Sequence, residues 1–274
     1  MKKEKARQRV YYRDETQDDF LNLGISRCTV DGSFPYIHKN PLWRLVSFLL
    51  YYGVAVPLVW TLVRVFWRVR FVNKRAIKKC KGHRCFLYGN HTGVWDAFIP
   101  NLIGLPHRGR IVVGAETVSI KGLKNITQML GAMPLPTGLD GMRAFSRAID
   151  HHHKTSHITI YPEAHIWPYY TGVRQFSDAS FAYPVKCNAP VIAFFTAFEE
   201  PRGLFKYFRK ANMTVYASDP IYPAEGLTGR EARRDLCEQV YAFMQAHTKY
   251  STYEAVEYVH RDGDDTPLDT ASGL

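Results

Sequence analysis

The hydrophobic and polar positions divide the chain into stretches of different texture. Residues 1–40 are charged, hold few apolar runs, start Met1-Lys2-Lys3-Glu4-Lys5, and read as a loosely ordered cytosolic arm. The longest uncharged run covers nineteen residues, 45–63, between Arg44 and Arg64. From about residue 84 onward, short apolar runs alternate with amphipathic ones. Strands are expected at 84–90, 110–115, 158–161, 191–198 and 213–217, and helices at 95–103, 123–130, 141–152 and 229–247. Leu236, Val240, Phe243 and Met244 give the last of these helices an apolar face. Strands alternating with helices predict an α/β domain over 84–260, a mixed sheet flanked by helices. Residues 261–274 are acidic, contain Gly, Pro, Ser and Thr, and read as a frayed tail.

As a helix, the uncharged run would be about 28 Å long, near the ~30 Å hydrocarbon core of a bilayer. Residues 41–83 are therefore expected to be a membrane-associated helix or helix pair with a basic flank; the competing reading is a core helix of a soluble protein. Residues 64–84 carry nine Lys/Arg and no acid, which places that flank at the cytoplasmic leaflet. Residues 1–44 carry nine Lys/Arg against six acids. Basic residues on both sides favour an interfacial or re-entrant pair over one simple span. Its hinge would lie near Gly53 and Pro57, with both ends on the cytoplasmic face.

The net charge of +11 sharpens this division. Residues 1–90 hold 18 Lys/Arg against 6 Asp/Glu, and residues 91–274 hold 18 against 19. The basic excess belongs to the N-terminal third and not to the folded domain, which argues against a nucleic-acid partner. Cys28, Cys80, Cys85, Cys187 and Cys237 form no Cys-x-x-Cys pair, so they read as reduced thiols and not as a disulfide frame or a zinc site. There is no Gly-x-Gly-x-x-Gly, Walker-type loop or Gly-x-Ser-x-Gly elbow to support dinucleotide, P-loop or serine-hydrolase chemistry. His151-His152-His153 cannot all point one way on a helix and lack partner ligands at metal spacing, so no metal site is expected.

The chemistry concentrates at Asn90-His91-Thr92-Gly93-Val94-Trp95-Asp96. A His followed five positions later by an Asp, at a strand-to-helix corner, is a candidate acid–base dyad. An imidazole exchanges its proton near neutral pH, and a carboxylate fixes its tautomer. The spacing recurs at His260 and Asp265, but there in a polar stretch with no strand before it. A second apolar strand ends at Tyr161-Pro162-Glu163, and His165 two residues on is placed to pair with Glu163.

Asn90-His91 with Asp96, then Tyr161-Pro162-Glu163, resembles the lysophospholipid acyltransferase family, the PlsC-like group that includes 1-acylglycerol-3-phosphate acyltransferases. The resemblance covers about residues 85–223. It implies a glycerophospholipid acyltransferase-like fold on the cytoplasmic face of a membrane. It also implies transfer of a fatty acyl chain from acyl-CoA or acyl-carrier protein to a lysophospholipid hydroxyl, most simply lysophosphatidic acid, with no resident cofactor. His91 would be the general base and Asp96 its orienting partner. Glu163 would help bind the acceptor or shape the site, and Asn90, Thr137 and His165 fall in the same expected substrate-binding set.

The sequence departs from the family pattern in three places. Gly93 stands where the family often has Ser. Ala164-His165-Ile166 replaces Gly-Thr-Arg after the Glu. The stretch Gly131-Ala132-Met133-Pro134-Leu135-Pro136-Thr137 replaces a strand ending in Asp-Arg. Thr137 and Ile166 thus stand at the arginine positions credited with holding the acceptor phosphate. Arg143, Arg147 and Arg174 are the nearest substitutes, with Arg174 preferred because it follows the Glu163 motif closely. These departures also admit a non-phosphate lipid acceptor, or a membrane-tethered lipid-binding relative without catalysis.

Overall fold

The computed structural model describes residues 8–20, 28–80, 84–120, 122–201, 203 and 210–261. The expected tail, from residue 262 on, lies outside them. Among the described residues nine strands and seven α-helices follow in chain order: β1 (Gln8–Tyr12), α1 (Pro41–Phe48), α2 (Val56–Thr61), β2 (Arg70–Val72), β3 (Phe86–Gly89), α3 (Ile99–Gly104), β4 (Arg108–Val113), α4 (Lys124–Met129), β5 (Ala132–Pro134), α5 (Leu139–His153), β6 (Ser156–Ile160), α6 (Ala182–Cys187), β7 (Val191–Glu199), β8 (Asn212–Ala217), α7 (Gly229–His247) and β9 (Val256–His260). Seven strands form one sheet in the order β2-β8-β7-β3-β6-β4-β5. Only the β7–β8 pairing is antiparallel, so the sheet is mixed, as the alternating pattern predicts.

The central strands are buried on both faces. This is why β7 reads as the nearly unbroken apolar run Val191-Ile192-Ala193-Phe194-Phe195. One face packs against Phe145 and Ile149 of α5, Leu236, Val240 and Met244 of α7, and Val30, Phe34 and Tyr36 from the N-terminal segment. The other packs against Ile99, Leu102 and Ile103 of α3, with Trp95, Val59 and Val63.

The N-terminal segment departs from the expected arm. β1 pairs in parallel with β9, Gln8 opposite Val256 through Tyr12 opposite His260. Val10, Phe20, Trp167 and Val256 form a small core beneath that pair. The partner strand lies almost the full chain length away, so no local pattern announces the pairing. His260, the decoy in the second His/Asp spacing, sits at the end of β9 with its Nε2 3.1 Å from the Arg13 carbonyl oxygen.

Residues Pro41–Phe66 form one helix, about 39 Å long at 1.5 Å per residue. The Asn40 side chain accepts from the Leu42 and Trp43 amides, and Pro41 occupies the first turn. The expected hinge at Gly53 and Pro57 is absent. Wide turns at Leu49–Ala55 and Leu62–Phe66 connect and extend α1 and α2, and the first of them accommodates the proline whose ring would clash in a regular helix. This helix is long and apolar enough to cross a membrane. Only 22% of its most apolar window is buried, which disfavours the core-helix reading. Ser47, Tyr51, Val59 and Val63 face the domain, while Leu42, Leu45, Phe48, Leu49, Leu58 and Phe66 are exposed.

Two histidines in this core give a pH signature. His152 is buried with Nε2 2.8 Å from the Tyr36 carbonyl oxygen, and desolvation pushes its pKa down to about 3. His157, whose Nδ1 accepts from the Cys85 amide, is pushed down to about 4 by the same cause. An unfolded imidazole takes its proton near 6.5, so over this window the unfolded chain binds more protons. Stability is therefore expected to fall as pH drops from 6.5 toward these values, and the His152→Gln, His157→Gln double variant should lose much of that slope. Urea titrations at stepped pH check it; equal slopes in both proteins would refute the assignment.

Candidate active site

β3 and β6 are neighbours in the sheet, and the candidate site forms where both end. His91 leaves β3 two residues past its last position, and Asp96 lies in the tight turn Val94–Ala97 that follows. The His91 Nδ1 is 2.9 Å from Asp96 Oδ2. That oxygen also accepts from the Thr92 amide at 2.6 Å and the Gly93 amide at 3.1 Å. Asp96 is 1% exposed and the His91 side chain 17%. Burial pushes the Asp96 carboxyl pKa up, against the pull of His91 and the two amides, and the net direction is upward. With Nδ1–H given to the carboxylate, Nε2 carries the lone pair and makes no hydrogen bond among the described residues.

Tyr161 completes the dyad, and the sequence reading did not single it out. Its ring stacks on the His91 imidazole at 4.4 Å and 14°, and its hydroxyl donates to the Asp96 backbone oxygen at 2.7 Å. One side chain thus fixes both the imidazole plane and the aspartate turn. The available signal was its position, directly before the Pro-Glu pair.

Glu163 is buried and spent on internal contacts. Its Oε2 accepts from the His91 amide at 3.3 Å and from Arg174 Nη2 at 3.0 Å, and its Oε1 accepts from the Arg174 amide at 3.3 Å. Desolvation pushes its pKa up, opposed first by Arg174. Arg174, 1% exposed, also donates to the Glu15 and His165 carbonyl oxygens and lies 4.9 Å over the Trp167 ring. The expected roles of Glu163 and Arg174 in binding substrate directly are therefore corrected. The pair braces the backbone under His91, beneath a roof made by the N-terminal segment.

Three other expectations are also corrected. Asn90 is fully buried and exchanges two hydrogen bonds with Thr196 of β7, extending the sheet instead of facing a ligand. His165 turns to Asp19 at 3.7 Å and not to Glu163, whose oxygens are taken. Thr137 follows the edge strand β5, where its hydroxyl accepts from the Val30 amide, stitching the N-terminal segment down. The structure therefore brings together His91, Asp96, Glu163 and Arg174, and leaves Thr137 outside that cluster. Among the described residues no group of three or more His, Cys, Asp or Glu is placed to hold a metal ion.

Two departures from the family pattern have physical consequences in the structure. A Cβ on Gly93 would lie 2.4 Å from the Trp95 indole, which is itself buried. Gly93→Ser, which installs the residue common in the family, is expected to push the indole out of place and cut activity at least about tenfold, since a small displacement at a reacting site has that scale of cost. Steady-state kinetics on the folded variant measures it; unchanged kcat would mean the indole moves freely. Ala164 holds a left-handed φ of 65°, a conformation that suits the glycine the family pattern has there.

No protein-family profile matches this sequence, and no curated protein sequence does. Among solved structures, the crystal structure of the 1-acyl-sn-glycerophosphate (LPA) acyltransferase PlsC from Thermotoga maritima is similar at 17% identity and a TM-score of 0.47, over 77% of this chain and 95% of that chain.

Proposed function

We propose that this protein is a membrane-associated O-acyltransferase that moves a fatty acyl chain from a thioester, acyl-CoA or acyl-carrier protein, to a lysophospholipid hydroxyl. The observation that carries the reading is the His91–Asp96 pair at 2.9 Å, with the carboxylate buried, Nδ1 engaged and Nε2 without a partner among the described residues. In this mechanism Nε2 takes the proton of the acceptor hydroxyl as its oxygen attacks the thioester carbonyl carbon. The C–O bond forms, the C–S bond breaks, and the imidazolium returns its proton to the departing thiolate. Asp96 holds the tautomer and balances the transient positive charge, as the acid does in a serine-hydrolase triad. The thioester is already activated, so no covalent acyl-enzyme is required.

The acceptor has two readings. The resemblance favours lysophosphatidic acid. The commitment of Arg174 to Glu163, with Thr137 and Ile166 at the usual arginine positions, favours an acceptor without a terminal phosphate monoester. Incubating the purified protein with radiolabelled acyl thioester and a panel of lysophosphatidic acid, lysophosphatidylcholine, lysophosphatidylglycerol and monoacylglycerol separates them. Labelled diacyl lipid should form with at least one of these; label appearing only as free fatty acid would refute acyl transfer.

The helix at 41–66 supports membrane attachment along one leaflet. Its inward stripe, from Ser47 to Val63, rests on the domain for much of its length, while its other faces present apolar side chains outward. Leu45→Asp with Leu49→Asp alters two exposed positions and is expected to release the protein from membranes with its fold intact. Membrane flotation together with circular dichroism checks this. A folded double variant that still floats with the membrane would contradict it.

A further inference from the structure

At the foot of the sheet, away from the dyad, β4 carries two arginines that have no counter-ion among the described residues. Arg108 and Arg110 stand at alternate positions of one strand and therefore share a face. Arg108 donates to the Ser47 hydroxyl at 2.9 Å and to the Met129 carbonyl oxygen, and its guanidinium lies 4.7 Å over the Tyr51 ring. Arg110 makes no hydrogen bond and no ion pair among the described residues, and the Nε atoms of both arginines are buried without partners. Among the described residues no Asp or Glu acts on either. Desolvation pushes the Arg110 pKa down to about 9, repulsion from Arg108 adds to it, and Tyr51 opposes both. His151 and His152, at the end of α5, feel the same positive field from Arg110, and His151 feels Arg44 as well.

Stability alone does not account for this arrangement. Both arginines are only partly buried, yet each holds its Nε in the interior without a partner, and setting two such guanidinium groups side by side is unfavourable. Such an arrangement is favourable when an anion enters, because a guanidinium offers forked donors that match phosphate oxygens. The register separates this place from the dyad. Arg110 lies opposite Ile158 of β6, and Ile158 opposite Phe86 of β3. His91 is five residues farther along the chain, two beyond the end of β3, whose run from Phe86 to Gly89 alone spans about 10 Å at strand rise. The immediate neighbours are Ser47 and Tyr51 of the apolar helix, whose Leu42, Leu45 and Leu49 are exposed.

We propose that Arg108 and Arg110 form a phosphate-binding site for the headgroup of an anionic phospholipid, seated where the apolar helix meets β4. The ligand is a phosphate ester whose acyl chains lie along the outward face of the helix, and the site is distinct from the one that holds substrate. Its anchor residue is Arg110, because its guanidinium has no partner among the described residues, whereas Arg108 also holds the helix to the domain.

The test uses the purified full-length chain in a neutral detergent, with thermal unfolding followed against added dihexanoyl phosphatidylglycerol, dihexanoyl phosphatidylcholine or inorganic phosphate. Phosphatidylglycerol should raise the melting temperature of the native protein, and phosphatidylcholine should not. Arg110→Gln should raise the melting temperature without lipid, because a like charge is gone. It should also weaken phosphatidylglycerol binding by about tenfold or more, the scale of one charge-assisted contact. Arg143→Gln, an equal charge change on an exposed part of α5, should shift neither by as much. Three results would overturn the proposal: an Arg110→Gln protein that is less stable and binds lipid as before, an equal loss in Arg143→Gln, or inorganic phosphate matching phosphatidylglycerol at equal concentration. The last would mark a free-anion site and not a headgroup site.

Discussion

His91→Ala is expected to abolish acyl transfer while leaving the fold and membrane attachment in place. The imidazole sits past the C-terminal end of β3 with its side chain 17% exposed, and its removal takes away the group proposed to accept the hydroxyl proton. Loss of a general base costs about 10²–10⁴ in rate. Asp96→Ala should fall in the same range, for two reasons. The tautomer of His91 is no longer fixed, and the Thr92 and Gly93 amides lose the oxygen that holds the turn. His260→Ala should be nearly silent, since His260 contacts a backbone carbonyl at the end of β9, outside the dyad cluster. Initial rates with labelled thioester in all three variants give the comparison. A His260→Ala loss as large as that of His91→Ala would overturn the site.

Arg174→Ala is expected to act through stability and kcat, not through KM. Arg174 and Glu163 are each 1% exposed as side chains, so removing the arginine strands a carboxylate in the interior. Breaking a buried pair in this way costs about 3–5 kcal/mol. The stranded carboxylate also holds the His91 amide, so the dyad should loosen and kcat should fall. A phosphate-binding arginine would behave differently, raising the KM for a phosphorylated acceptor at preserved stability. Glu163→Gln with Arg174→Met removes both charges at similar volume and should recover most of the lost stability. Denaturant unfolding of the single and double variants, with kinetics on each folded protein, separates the two roles. A stable Arg174→Ala with a raised KM would restore the arginine to the acceptor site.

The parts of the fold legible in the sequence are those with strong local pattern. β7 reads as an apolar run because both its faces are covered, and α7 reads from the face made by Leu236, Val240 and Met244. β1 and β9 were illegible because each is short and finds its partner at the other end of the chain. The helix at 41–66 was legible as a long apolar element, but its continuity through Gly53 and Pro57 depends on a wide turn that periodicity does not encode. In the site, the His91–Asp96 spacing and its place after a strand were enough to mark the dyad. The Glu163–Arg174 pairing was not marked, because it depends on how the loop after β6 folds back, with left-handed turns at Ala164 and Tyr169. An exposed phosphate ligand and a buried brace both read simply as Arg, and only burial separates them.

The most direct test of the central claim is a single-turnover reaction. Full-length protein is mixed with a stoichiometric amount of radiolabelled acyl-CoA and an excess of the best lysolipid acceptor, quenched at intervals, and analysed for label in lipid and in denatured protein. Direct transfer with His91 as base predicts labelled diacyl lipid appearing in step with free thiol, with no label retained on the protein at any time. His91→Ala should form neither product at a comparable rate. Label held covalently on the protein before the lipid appears, or an unaltered rate in His91→Ala, would contradict the account.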